Sequence, residues 1–419
     1  MVQIKLDNTQ DEDWTFKEAN THEYTHGLHP YPARMCPQIA RKLIKLYSKP
    51  KDIIFDPFCG SGTVLVEAKL AGRNGIGVDL NPFGILLSEV KTMQIDPIIL
   101  KKNINNFLDN VRPLQIESKR KNVSFEVPRF FNIEFWFKEY VIRDLVVVKK
   151  CIDEITDPNV KKFLLVCFSL LVRKTSNTRN GEFKLYRYSK EKLNNHNPDV
   201  LQTLIQILKE AYRSMNQFYI KADKTVFTSL LCCDARKVPI ASETMDLLVT
   251  SPPYGDSRTT VAYGQFSRLP LQWLGYKDKE VSSIDRKCLG GINNGKYNFD
   301  LNSITLNEVV SKIMNKDEKR GNEVGIFFYD LNDCLKEMFR LMKPNSYTCI
   351  VIGNRMVKGV RIPTNLIISE LCQEIGFSFV KNISRQIPYK TMPKENAPTN
   401  IPGEKCETMC EENIVILRK

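Results

Sequence analysis

Asp52-Ile53-Ile54-Phe55-Asp56-Pro57-Phe58-Cys59-Gly60-Ser61-Gly62-Thr63 decides the fold. Asp52 to Phe55 reads as a short apolar strand that runs straight into a glycine-rich turn. Glycine at positions 60 and 62 suits a turn where a ligand or a helix must approach the backbone closely. A helical pattern follows, with Val64, Leu65, Ala68 and Leu70 mostly on one face. Gly75 to Leu80 is then a second strand, ending in Asp79-Leu80-Asn81-Pro82. Strand, glycine turn, helix and strand make one βαβ unit of a parallel sheet.

Such a unit carries a ligand preference. Backbone N–H groups at the helix start favour a negative group, and Asp79 stands 17 residues after Gly62 at the end of the second strand. A carboxylate there can accept both hydroxyls of a ribose. The glycine pattern alone is weak, but together with this carboxylate it specifies an adenosine-type ligand on a doubly wound sheet. A dinucleotide fits less well: G-x-G-x-x-G would need glycine at position 65, where Leu65 stands.

Outward from this unit, residues 84 to 224 turn helical. Ile142 to Ile155, Val160 to Val172 and Leu201 to Met215 carry apolar residues at helical spacing, and a polar, turn-rich stretch runs from Arg173 to Asn197. Strand character returns at Thr225 to Cys233, Asp246 to Thr250, Tyr347 to Ile352, Phe377 to Ile383 and Asn413 to Leu417. The total is seven strands, so the fold class is α/β with a long helical insertion. The expected division is 1–90, 91–224 and 225–419, with a polar insertion near 277–322 that reads as a mobile recognition loop.

Composition limits the function classes. The chain has 419 residues and a net charge of +13, a surplus that favours polyanionic partners. Twelve cysteines and four histidines show no metal-ligand spacing, so no metal is expected. The adjacent Cys232 and Cys233 fall in what reads as a buried strand, and the scattered cysteines read as small core hydrophobes in a reducing compartment. Met1 to Asp13 is too polar for a signal peptide, and the longest apolar run, Phe163 to Val172, is half a membrane span. An intracellular, soluble protein is expected.

The loop Asp56 to Thr63 resembles the signature loop of the S-adenosylmethionine-dependent amino-methyltransferases, and His29-Pro30-Tyr31-Pro32-Ala33-Arg34 resembles the segment that covers the methionine end of their cofactor. The resemblance extends over about residues 22 to 90 and 225 to 419. It implies a seven-stranded Rossmann-like methyltransferase sheet, closed by Asn413 to Leu417 as a late antiparallel strand. It assigns cofactor contacts to His29, Tyr31, Pro32, Asp56, Phe58, Gly60, Ser61, Gly62, Thr63, Asp79 and Asn81. Asp234, at the end of the strand Thr225 to Cys233, is similar to the family's carboxylate for the cofactor's adenine amino group.

Ser251-Pro252-Pro253-Tyr254 follows the strand Asp246 to Thr250. Two prolines could simply terminate a strand, but here a polar acceptor precedes them, and an aromatic and Gly255 follow. The exocyclic amine of cytosine or adenine is a poor nucleophile, because its lone pair is delocalised into the ring. Acceptors at the Ser251 side chain and the Pro252 carbonyl can hold both amine hydrogens and aim the lone pair for in-line methyl transfer, with orientation contributing much of the rate. Tyr254 would stack on a base rotated out of the duplex. The tetrapeptide resembles the catalytic motif of the amino-methyltransferases, in the form typical of N4-cytosine enzymes; adenine-N6 enzymes more often begin it with Asp or Asn. The catalytic set is thus Ser251, Pro252, Pro253 and Tyr254.

Double-stranded DNA is the expected partner, and a cognate restriction endonuclease in a bacterial cytoplasm is implied by resemblance. Arg173, Lys174, Arg179, Lys184, Arg187 and Lys190, interleaved with Phe183, Tyr186 and Tyr188, are the expected DNA-binding stretch. Tyr263-Gly264-Gln265 and the tail with Arg385, Lys390, Met392-Pro393 and Asn396 also resemble family segments, without assigned roles. An RNA base methyltransferase and a non-enzymatic DNA-binding module are the rival classes.

Overall fold

The computed structural model describes residues 13–119, 126–179, 181–256, 260–291, 295–387, 395–396, 406–407 and 411–419. One sheet is formed by β1 (Ile53–Asp56), β2 (Asn74–Asp79), β3 (Thr228–Cys232), β4 (Met245–Thr250), β5 (Met342–Gly353), β6 (Ser378–Gln386) and β7 (Glu411–Arg418). Their order is β3-β2-β1-β4-β5-β7-β6. The pairings among β1 to β5 are parallel, while β7 runs antiparallel to both β5 and β6. All seven strands lie where the sequence places them, including the late antiparallel one. The order reverses between β1 and β4, so a crevice opens there at the carboxyl ends of the parallel strands.

Period-two side-chain alternation explains the two faces of the sheet. Phe55, Leu248, Ile350 and Ile352 point into one apolar cluster. Their neighbours Ile54, Leu247, Val249 and Val351 point into another. Helices α1 (Pro37–Tyr47) and α2 (Thr63–Leu70) cover the second face. The long helix Glu318–Leu341 and the helix Thr364–Ile375 cover the first. With both faces covered, the central strands are continuously apolar.

After α3 (Pro82–Thr92), the middle of the chain contributes α4 (Pro97–Lys119), α5 (Glu139–Asp153), α6 (Pro158–Thr175) and α7 (Val200–Lys221). They share one core with α3 and with α8 (Tyr263–Trp273), through residues such as Phe83, Phe107, Leu145, Phe168 and Phe266. Trp273 is packed edge-on by Phe130, Phe137 and Phe168. The insertion is therefore anchored to the helix that follows the tetrapeptide. No described helix is long and apolar enough to cross a membrane.

Three expectations need correction. Helix α2 is buried from Thr63 to Lys69 rather than along one stripe, because Val66 meets Phe218 of α7 while Val64 and Ala68 meet the sheet. Its Glu67 accepts hydrogen bonds from His26 and Arg41, which satisfies a wholly buried carboxylate. Cys232 is exposed and Cys233 half-buried, since β3 is an edge strand with only partial cover. The described residues of 277–322 are mainly helical rather than loop: α9 (Asp278–Lys287) and α10 (Ile304–Met314) bury Val281, Leu306, Val310 and Ile313.

Candidate active site

The site is built where β1 and β4 end side by side. Thr250 donates its hydroxyl to Asp56 Oδ1 at 2.7 Å, and the Phe58 amide donates to the same oxygen at 3.1 Å. Asp56 is fully buried, and that burial pushes its carboxyl up to about 7. The turn then takes left-handed backbone at Gly60 (φ +49°) and Gly62 (φ +82°), a conformation cheap only for glycine. A Cβ on Gly62 would lie 2.9 Å from Cα of Ser88 in α3, so a helix rather than a ligand demands that glycine. At Gly60 the nearest atom would be Tyr31 Cε1, 3.1 Å away.

Asp79 braces the turn. It accepts from the Gly60 amide at 2.8 Å through Oδ2 and from the Asn81 amide at 2.7 Å through Oδ1. Burial pushes its carboxyl up to about 6. Each oxygen keeps a further lone pair for a ligand hydroxyl. Asn81 caps α3 by accepting from Phe83 N at 3.1 Å, and its amide donates to Tyr31 Oη at 3.2 Å and Ser267 Oγ at 2.7 Å. These bonds tie the strand end, the proline-rich segment and α8 together.

A cavity open to solvent on one side results where these elements meet. The predicted residues Tyr31, Pro32, Asp56, Phe58, Gly60, Ser61, Thr63, Asp79, Asn81, Asp234, Ser251 and Pro253 all line it. Ser61 Oγ is buried with no hydrogen-bond partner, as expected of a polar atom waiting for a ligand group. The cradle therefore fits an adenosine-type cofactor, with the glycine loop and the tetrapeptide facing one space.

Sequence comparison agrees with this geometry. Residues 4–89 match the DNA methylase family. The chain is 41% identical over 428 residues to the type II methyltransferase M.MvaI of Kocuria varians, covering 96% of this chain and 93% of that protein. This chain belongs to the DNA methyltransferase family. A more distant type II methyltransferase, M.BsoBI of Geobacillus stearothermophilus, is 23% identical over 426 residues, covering 87% of this chain and 81% of that protein. M.MjaII of Methanocaldococcus jannaschii matches at 39% over 95 residues, 23% of this chain and 18% of its own. S-adenosylmethionine is the methyl donor.

Four predicted residues of the methyltransferase do not line the cavity. His29 lies in the core, its ring edge-on to Phe83 and Phe266 and its Nδ1 2.5 Å from the Pro30 carbonyl. Burial pulls its pKa well below the usual histidine value. Gly62 faces α3, as described. Pro252 is buried. Tyr254 is half-buried and donates its hydroxyl to Glu412 Oε1 at 3.0 Å, while Ser251 Oγ donates to Tyr254 Oη at 3.4 Å. Gly255 is required for packing, because a side chain there would overlap the Arg355 guanidinium.

Asp234 is clamped by Arg236, whose Nε lies 3.0 and 3.1 Å from its two oxygens and whose Nη2 lies 2.7 Å from Oδ2. Burial acts to raise the Asp234 pKa, but these bonds outweigh it and hold the carboxyl below its ordinary range. Sequence reasoning missed Met35, Cys288 and Leu289 as lining residues, along with any role for Tyr263. Tyr263 lay in a stretch already singled out; Cys288 and Leu289 belong to no motif, and only the packing of α9 brings them in.

The basic stretch is a small hairpin. Arg179 N donates to Tyr186 O at 2.8 Å and Tyr188 N to Asn177 O at 2.9 Å, around a Thr178–Arg187 bridge. Lys174, Arg179 and Lys190 are exposed and Lys184 is half-buried. Arg187 lies over the Phe135 ring at 4.2 Å. Arg173 is a correction: it is buried, lies over the Phe266 ring at 3.9 Å and donates to the Phe266 carbonyl at 3.2 Å, so it holds the fold and cannot reach a phosphate. The hairpin rests on α8 through Phe183, whose ring meets Phe266, and through the Leu185 amide, 3.4 Å from Gln265 Oε1. In the tail, Arg385 is buried and donates to the Trp14 and Thr15 carbonyls. Asn396 lies in a two-residue strand paired with Cys406–Glu407, and Lys390, Met392 and Pro393 fall outside the described residues.

Proposed function

We propose that this DNA methyltransferase acts on the exocyclic N4 amine of cytosine in duplex DNA, with the target base rotated out of the helix. The observation that carries the reading is Ser251 on the wall of the cavity that the glycine loop also lines. S-adenosylmethionine supplies an electrophilic sulfonium methyl group. Gly60, Ser61, Asp79, Asn81 and Asp234 would hold it, with Tyr31 and Pro32 covering its methionine end. Ser251 Oγ and the Pro252 carbonyl accept the two amine hydrogens, and a preorganised acceptor of this kind is worth about 3 kcal/mol. The cytosine assignment is supported by the Ser-Pro-Pro-Tyr form of the motif. The hairpin around the Thr178–Arg187 bridge supplies cations for the phosphates and rests on α8, whose first residue, Tyr263, lines the cavity. The likeness to type II methyltransferases supports a pairing with a restriction nuclease in the bacterial cytoplasm.

The test is incubation with tritiated S-adenosylmethionine and either mixed-sequence duplex DNA or RNA, in parallel, followed by nucleoside mass spectrometry. N4-methylcytosine is the expected product. N6-methyladenine would keep the mechanism and overturn the base assignment, whereas label only in RNA would overturn the substrate.

A further inference from the structure

The amine reaction places a demand on Ser251 that serine does not meet by itself. A serine hydroxyl can donate or accept, and only an acceptor holds an amine hydrogen. Aspartate at this position could only accept; with serine, something else must decide which way the hydroxyl hydrogen points.

That decision is built into the end of the sheet. Because β7 is antiparallel, its first residues lie at the carboxyl edge of the parallel strands, where Glu412 pairs with Gly353 of β5 and Arg385 of β6. One Glu412 oxygen is taken by Arg385, which is buried and anchored on the Trp14 carbonyl at 2.7 Å. The other accepts the Tyr254 hydroxyl at 3.0 Å. A carboxylate only accepts, so the phenolic hydrogen is committed to Glu412 and Tyr254 Oη is left as an acceptor. Ser251 Oγ lies 3.4 Å from that oxygen, a length common for catalytic hydrogen bonds before the reacting group arrives. The serine hydrogen is thereby drawn toward Tyr254, and the Ser251 lone pairs are left facing the cavity.

We infer that Glu412 is a positioning residue that acts through Tyr254 to set the Ser251 hydroxyl as a hydrogen-bond acceptor for the target amine. The inference rests on the amine-methylation reading and holds for cytosine or adenine alike. Tyr254 accordingly has a function through its hydroxyl, besides any stacking by its ring. Glutamine at 412 removes the polarity, because its amide nitrogen can donate to Tyr254, which frees the phenolic hydrogen to turn to Ser251 Oγ and the serine hydrogen to turn into the cavity.

The experiment compares four full-length proteins: wild type, Glu412→Gln, Tyr254→Phe and the double variant. Single-turnover methyl transfer to mixed-sequence duplex DNA is read together with the Kd for S-adenosylmethionine. Each single variant is expected to slow transfer by about tenfold or more, with cofactor affinity unchanged. The double variant should be no slower than Tyr254→Phe alone. Multiplying losses, or a Glu412→Gln enzyme at the wild-type rate, would overturn the inference in favour of a purely structural Arg385–Glu412 pair. Should Glu412→Gln fail to fold, Tyr254→Phe leaves that pair intact, and full activity in it overturns the inference equally. An inactive wild type would instead refute the methylation reading itself.

Discussion

Asp56 shows how a single side chain can bear opposite costs at different pH. Its unfolded value is near 3.8, and burial raises it to about 7 in the folded chain. Between those limits the native state keeps a proton that the unfolded state releases. The stability that this proton represents is complete below about pH 3.8 and is lost as pH rises through about 7. Asp56→Asn keeps an Oδ1 acceptor for the Thr250 hydroxyl and the Phe58 amide but cannot ionise. The variant should therefore match wild type near pH 4 and gain on it steadily up to pH 7, by roughly 1 kcal/mol per unit, with no further gain above. Melting temperatures of the pair across that range are the check; a constant difference would mean that the native carboxyl ionises as freely as the unfolded one.

At the scale of elements, Arg173 makes the sharpest claim. It lies in the last turn of α6, yet the charge run in the sequence begins with it, so composition groups it with the hairpin cations. Its guanidinium is desolvated against Phe266, a contact worth about 2 kcal/mol, and it has a further hydrogen bond to the Phe266 carbonyl. Arg173→Met should lower stability by about 2 kcal/mol in urea melts while leaving the salt dependence of DNA binding unchanged. A lower salt slope with unchanged stability would return it to the DNA surface. The contrast explains what the sequence made legible. β1, its glycine turn and Asp79 were readable because their contacts are local and their residue types are forced by backbone geometry and strand ends. The seven strands and the helices of the insertion were readable from periodicity. Glu412 was not, because its partner Tyr254 lies 158 residues away and meets it only through the antiparallel placement of β7. The side of an arginine that faces a ring was likewise invisible in a list of charges, as was the burial of Val281 and Ile284 in the core of the insertion and of Leu306, Val310 and Ile313 against the sheet's first face.

Across the whole molecule, a net charge of +13 gives a general attraction for DNA but says nothing about where the duplex lies. On the proposed reading the duplex lies along the hairpin, which is held on α8, the element that also reaches the cavity. Arg179, Lys184 and Arg187 are not equivalent within it. Arg179 is exposed and shares its charge with Glu182 at 3.2 Å, whereas Arg187 is held against Phe135. If all three face phosphates, replacing them together with glutamine removes up to three counterion-releasing contacts. The slope of log K against log salt should then fall by up to about 2.7. Arg187 is the residue whose loss should also disturb the hairpin, so Arg179 and Lys184 replaced alone provide the cleaner measure, with a fall of up to about 1.8 and an unchanged melting temperature. Methyl transfer at saturating DNA should persist in that double variant, since neither residue lines the cofactor cavity. A salt slope equal to wild type would place the duplex on another basic face, and a loss of turnover at saturation would mean that the hairpin orients the target base as well as its phosphates.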